Sequence, residues 1–201
     1  MPISTIGQNG LNAPLSLTSP ALGTPSALVL TNATSLAKAA LPTGSVLQVV
    51  QSTKTDTFST TNGTNNPATI TGLSASITPS TTSNKVLIFV NFGQVSSNGD
   101  STWGLFMYRN GTLIDTGNTA GVRALGSAAG GIPGTGGTWR GNPASIMYLD
   151  SPASTSSVSY TFALGGNSGN TIYLNQDGRD NNVGYDSTRT PIVIILQEIA
   201  A

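Results

Sequence analysis

The chain has 201 residues with eight basic and eight acidic side chains, no histidine and no cysteine, and only 8% of its positions are charged. A formal net charge of zero with no Lys/Arg cluster gives no basic footprint for phosphate contacts, so nucleic acid is not an expected partner; the lack of thiols excludes disulfides and thiolate metal sites. Without imidazole or thiol, and with Glu198 as the single glutamate, little remains to run acid–base or nucleophilic chemistry, so an enzyme is not expected and no cofactor or metal is assigned.

Residues 1–43 form an arm in which Pro2, Pro14, Pro20, Pro25 and Pro42 recur among leucines, and in which Lys38 is the one charge. Proline fixes φ and removes a donor, so extended chain is expected here rather than a long helix or a central strand. Within the arm, Ala27 to Thr31 is the best strand candidate and Thr34 to Ala40 a short helical turn stopped by Pro42. Fully extended, the arm reaches about 140 Å at ~3.3 Å per residue, which suits attachment. Leu15, Leu17, Leu22, Leu28, Val29, Leu30 and Leu36 are costly to leave in water, so they are the candidate anchoring and assembly residues; the alternative is a disordered tail.

Residues 44–201 read as an all-β, antiparallel sandwich. Candidate strands fall at residues 45–51, 55–59, 68–71, 75–78, 85–92, 103–109, 113–116, 145–149, 157–164, 171–175 and 191–199. Asn62-Gly63, Asn110-Gly111 and Asp177-Gly178 tolerate positive φ, and Arg109-Asn110-Gly111-Thr112 between apolar runs predicts a hairpin. The near-continuous apolar runs Lys85 to Phe92 and Ile192 to Leu196 are assigned to the middle of the sandwich, covered on both faces. Gly117 to Asn142, rich in glycine, is read as one long loop for variable contact, with Arg123, Trp139 and Arg140 as its contact candidates.

Balanced charge with 37% hydrophobic residues predicts a folded chain, and low self-repulsion favours association of copies. No basic and apolar leader follows Met1, and the longest apolar run, Ile192 to Leu196, is far below the ~20 residues of a membrane helix. Neither secretion nor a membrane partner is therefore expected.

Motif matches dissolve on inspection. Ser35-Leu36-Ala37-Lys38 has the serine–lysine spacing of penicillin-recognising enzymes but lacks the companion elements and sits in a proline-flanked arm. Gly134-Thr135-Gly136-Gly137 has Trp139 where a dinucleotide loop needs its third glycine. Asp177, Asp180 and Asp186, near Arg179 and Arg189, read as turn residues; a calcium site from the same oxygens and paired-carboxylate catalysis are the other readings, and the spacing fits no standard calcium loop. Asp177, Arg179, Asp180 and Tyr185 join the contact candidates because an aromatic ring amid Asn, Asp and Arg suits a sugar.

Several ordered blocks resemble small fibre and appendage proteins of tailed bacteriophages. They are GSVLQVVQ at 44–51, SNKVLIFVNFG at 83–93, MYRNGTLI at 107–114, YLDSPASTSSVSYTF at 148–162 and IVIILQEIA at 192–200, with GTPSALVLTNATSL at 23–36 similar to fibre shafts. The resemblance implies a virion structural protein, generally a homotrimer, docked on other virion proteins by its N-terminal part with the knob exposed to a host-surface glycan or protein. The knob is also similar to trimeric jelly rolls of the complement and tumour-necrosis-factor type, so the expected architecture is an extended arm followed by a jelly-roll-like sandwich. A tail fibre or tail-tip adhesin is the leading expectation, a capsid decoration or head-fibre protein the second, and a polysaccharide-degrading tailspike a third disfavoured by the single glutamate.

Overall fold

A computed structural model of the chain describes residues 38–132, 141–167, 169–182 and 187–201. The arm residues Leu15 to Leu36, and Trp139, Arg140, Tyr185 and Asp186, lie outside them. A 3-10 turn, Lys38–Ala40, leads into eleven strands: β1 (Val46–Lys54), β2 (Phe58–Thr60), β3 (Ala68–Ile77), β4 (Lys85–Ser97), β5 (Ser101–Arg109), β6 (Thr112–Ile114), β7 (Ala128–Ile132), β8 (Asn142–Asp150), β9 (Val158–Gly166), β10 (Ile172–Leu174) and β11 (Ile192–Ile199).

They form two sheets in which every strand pair is antiparallel. Sheet I runs β1-β11-β4-β8, with β10 and β2 extending it beside the second half of β4; sheet II runs β3-β9-β5-β6, with β7 also on β5. The chain alternates between sheets from β1 through β3, β4, β5–β6, β8 and β9 to β11. That is the double Greek-key wiring of a jelly roll, as the sequence blocks imply.

The core lies between the sheets. Strand alternation points Val86, Ile88, Val90 and Phe92 of β4 and Ile192, Ile194 and Leu196 of β11 inward. They meet Leu105, Met107, Tyr160, Phe162 and Leu164 from sheet II, all fully buried. Phe92 and Phe162 meet edge to face across the sheets, with ring centroids 5.9 Å apart at 78°, worth ~0.5–1.5 kcal/mol beyond their area.

At one end of the sandwich, Asp150 of β8 accepts hydrogen bonds from Arg109 Nη1 of β5 and Tyr160 Oη of β9, each at 2.7 Å. This buried group ties the two sheets together. Burial and the neighbouring carboxylate push the Tyr160 hydroxyl well above the usual tyrosine range.

The predicted hairpin is present: Asn110 (φ 47°) and Gly111 (φ 82°) take the paired left-handed conformations of a tight type I′ turn. Three readings need correction. The two candidates at 68–71 and 75–78 are one strand, β3, bulged near Gly72 (φ 75°), because left-handed backbone lets the ladder resume after a register shift.

The glycine-rich loop contains β7. Glycine marks it as irregular by composition, yet here the missing side chain is what allows pairing: a Cβ on Gly130 would stand 2.4 Å from the Trp103 ring opposite. Lastly, β4 and β11 are central but, among the described residues, covered on one face only. Phe89 of β4 is exposed, and Leu87, Val193 and Ile195 are half-buried on the side away from sheet II.

Candidate functional site

Three surfaces carry candidate function, and β4 sets their relative positions. At its first residue Lys85 pairs with Ile199, and there the start and finish of the sandwich meet: Gly44 N donates to Ala200 O and Ala200 N to Ser45 O. Beyond Gln94, roughly 30 Å away at ~3.3 Å per residue, lie β10 and the loop 175–190. The arm root and this loop therefore sit at opposite ends of the sandwich.

The root is held by a residue noticed in the sequence only as the single glutamate. Glu198, fully buried at the end of β11, accepts hydrogen bonds from Ser80 N, Ser80 Oγ (2.6 Å) and Asn84 Nδ2 (2.8 Å). Lys38 Nζ lies 3.7 Å from its other oxygen. Burial raises the Glu198 carboxyl, but the donors on Ser80 and Asn84, with Lys38 nearby, outweigh it and hold the group below the usual carboxylate range. The only charge in the first 53 residues thus meets the only glutamate. A lone glutamate on an inward strand position, with a lone lysine upstream, was the available signal.

At the far end, Asp177 is buried and its carboxylate is occupied by donors: Arg179 N (3.0 Å) and Asp180 N (2.6 Å) on one oxygen, Ser187 Oγ (2.8 Å) on the other. Asp180 pairs with Arg189. These contacts describe a side-chain-closed turn. Among the described residues no three Asp or Glu groups are placed to hold a metal ion. Asn175 (φ 62°), fully buried, fastens this loop by donating from Nδ2 to Lys54 O (3.2 Å) and Asp56 O (2.9 Å).

The outer face of sheet I is largely apolar, with Gln51, Thr53, Asn91, Ser145 and Gln197 as neutral polar positions among its side chains. Met147, Val49, Leu149 and Phe89 are 71%, 57%, 47% and 37% exposed, and Val193, Ile195 and Ile199 lie among them on β11. A hollow of about 690 Å³ opens there between Phe89, Pro143, Met147, Val193 and Ile195. Lys85, at one rim, is the only charged side chain among the outward positions of β1, β4, β8 and β11. Sequence reasoning did not single out this face, because it assigned both sides of β4 and β11 to the interior.

Arg123, the contact candidate from the glycine-rich segment, borders a cleft of about 1020 Å³ on the outer face of sheet II. Asp177 and Asp180 lie elsewhere, where with Asn181, Asn182, Ser187, Thr188 and Arg189 they frame a separate hollow. The structure thus divides the described contact candidates between two places.

No family model and no curated protein matches the sequence. Solved structures similar to the chain include the infectious bursal disease virus VP2 subviral particle, at 14% identity and a TM-score of 0.35, covering 77% of this chain and 38% of that one. The infectious bursal disease virus Gx strain structure matches at 15% identity and a TM-score of 0.32, covering 78% of this chain and 39% of that one. The chain thus spans less than two-fifths of the viral chains it matches. Neither of these two structures is of a phage fibre protein.

Proposed function

We propose that this chain is a non-enzymatic virion structural protein: a trimeric tail fibre or tail-tip adhesin, anchored by residues 1–43 and presenting the opposite end of its jelly roll to the host. The observation that carries the reading is the apolar, nearly uncharged outer face of sheet I. Strands β4 and β11 are largely apolar on both sides, yet the described residues bury only one side of them. Contiguous exposed apolar surface of this kind marks an association site.

The occupant we assign is a second and third copy. A face without central charges can meet its own copies without opposing like charges, whereas a different partner is usually selected by complementary charge. Val46 and Ile199 pair on this same face, so copies joined here bring the first residues of β1 and the last of β11 close to those of their neighbours. The far end, with its Asp177-centred turn, is left to face outward.

Native mass of the full-length protein tests the assembly, with three times the 20.4 kDa chain mass expected. A Phe89→Lys/Met147→Lys variant should run as a folded single chain. A wild-type monomer, or a double variant that stays trimeric, refutes the interface. Copy number in purified virions tests the location: small multiples of three place it on the tail, whereas a count in the hundreds places it on the capsid.

A further inference from the structure

The cleft on sheet II is not accounted for by anchoring or by trimer formation. Its floor is Gly104 of β5 and Ala129 of β7, a facing pair whose small side chains leave the sheet surface open, beside the buried ring of Phe106. One wall is Thr64 and Asn65; the other is the segment from Gly117 to Gly126. The Gly63 backbone lies directly on Gly165, where an added Cβ would stand 2.6 Å from Gly63 O, so the first wall is fixed to the sheet.

The lining chemistry is one-sided. Among the described residues that line it, Arg123 is the only ionisable group and none is a carboxylate. Lys38, Lys54, Arg109 and Arg189 each meet an acid. Arg123 has no acidic partner among the described residues; its Nη1 donates to Ala120 O at 3.1 Å, which steadies the guanidinium within its own loop. The side chains of Thr64, Asn65, Thr102 and Asn118 make no hydrogen bond among the described residues. Neutral amides and hydroxyls on both sides of a groove, with one cation, complement ring hydroxyls and a single acidic substituent. The volume is at the upper end of the ~300–1,000 Å³ of small-molecule sites, room for several sugar rings.

We infer that this cleft binds a segment of an anionic polysaccharide, with Arg123 on a carboxylate or sulfate and the Asn and Thr side chains on ring hydroxyls. The inference rests on the adhesin reading above and moves the contact from the far-end loop to the flank of sheet II.

The test is calorimetric titration of the full-length protein with oligogalacturonate, colominic-acid oligomers, heparin oligosaccharide, neutral dextran and a poly-glutamate peptide. At least one acidic glycan should bind and dextran should not. Arg123→Ala should weaken binding at least tenfold, Arg123→Lys should restore part of it because the charge remains without the planar fork, and Ala129→Phe should abolish it by filling the floor. All variants should keep the wild-type melting temperature and native mass. Binding of none of the acidic glycans, wild-type affinity in Arg123→Ala, or equal binding of poly-glutamate would overturn the assignment. The native mass read on the same samples keeps the two readings apart: a monomer that binds glycan sinks the fibre and spares the cleft, and a trimer that does not bind does the reverse.

Discussion

Asp150 is where the fold is most sensitive to a single polar change. Its carboxylate holds Arg109 from β5 and Tyr160 from β9, and its side chain is only 4% exposed. In Asp150→Ala the Tyr160 hydroxyl stays buried with no acceptor, a loss of ~1–3 kcal/mol. The partly buried Arg109 guanidinium keeps only its 3.3 Å bond to Ser151 O, and removing one partner of a buried ion pair costs about 3–5 kcal/mol. Both effects arise from one side chain and overlap, so the total expected is about 3–5 kcal/mol. For a body of this size each kcal/mol lowers Tm by ~2–4 °C, which gives a drop of roughly 6–20 °C. Tyr160→Phe alone should cost ~1–2 kcal/mol, less than Asp150→Ala because Arg109 keeps its acid. Calorimetric melting of the two single variants and the double variant should give a coupling energy between about 0.5 and 3 kcal/mol. Strict additivity, or an Asp150→Ala loss under about 1 kcal/mol, refutes the idea that this carboxylate joins the sheets.

Three further outcomes can be checked. Glu198 has a folded-state pKa below its unfolded value, so its stabilisation is full above the unfolded pKa of ~4.3 and is lost as pH falls through the folded one. Urea midpoints should therefore fall more steeply with acid in wild type than in Glu198→Gln, and parallel curves would count against the clasp. Ile194→Asp places a charge at a fully buried position and should abolish cooperative unfolding, whereas Ile195→Asp, one residue on and facing outward, should keep the fold and lose self-association; identical behaviour of the pair, by melting and native mass, would contradict the assigned faces. Gly130→Leu forces the Trp103 indole aside, costing ~1–3 kcal/mol with a shift in tryptophan emission, and an unchanged spectrum would show that β7 does not press on that ring.

Apolar patterning and turn chemistry by themselves located most strands of this protein, though not β7. The apolar runs of β4 and β11, the Tyr160-Phe162-Leu164 pattern of β9 and the Asn110-Gly111 turn are local signals, because side-chain direction and backbone handedness depend only on near neighbours. Composition likewise indicated a body with little equipment for catalysis. Tertiary structure decided what local signals cannot carry. Gly130 looks like loop until Trp103 lies opposite it, and Glu198 looks incidental until Ser80, Asn84 and Lys38 converge on it from more than a hundred residues away. Arg123 and Asp177, both legible as exposed-loop candidates, are separated by the fold into different hollows. An apolar run records that both faces of a strand avoid water, not whether its own chain supplies both covers. Only the packed sheets show that the described residues cover sheet I on one side, and from that open face the assembly reading follows.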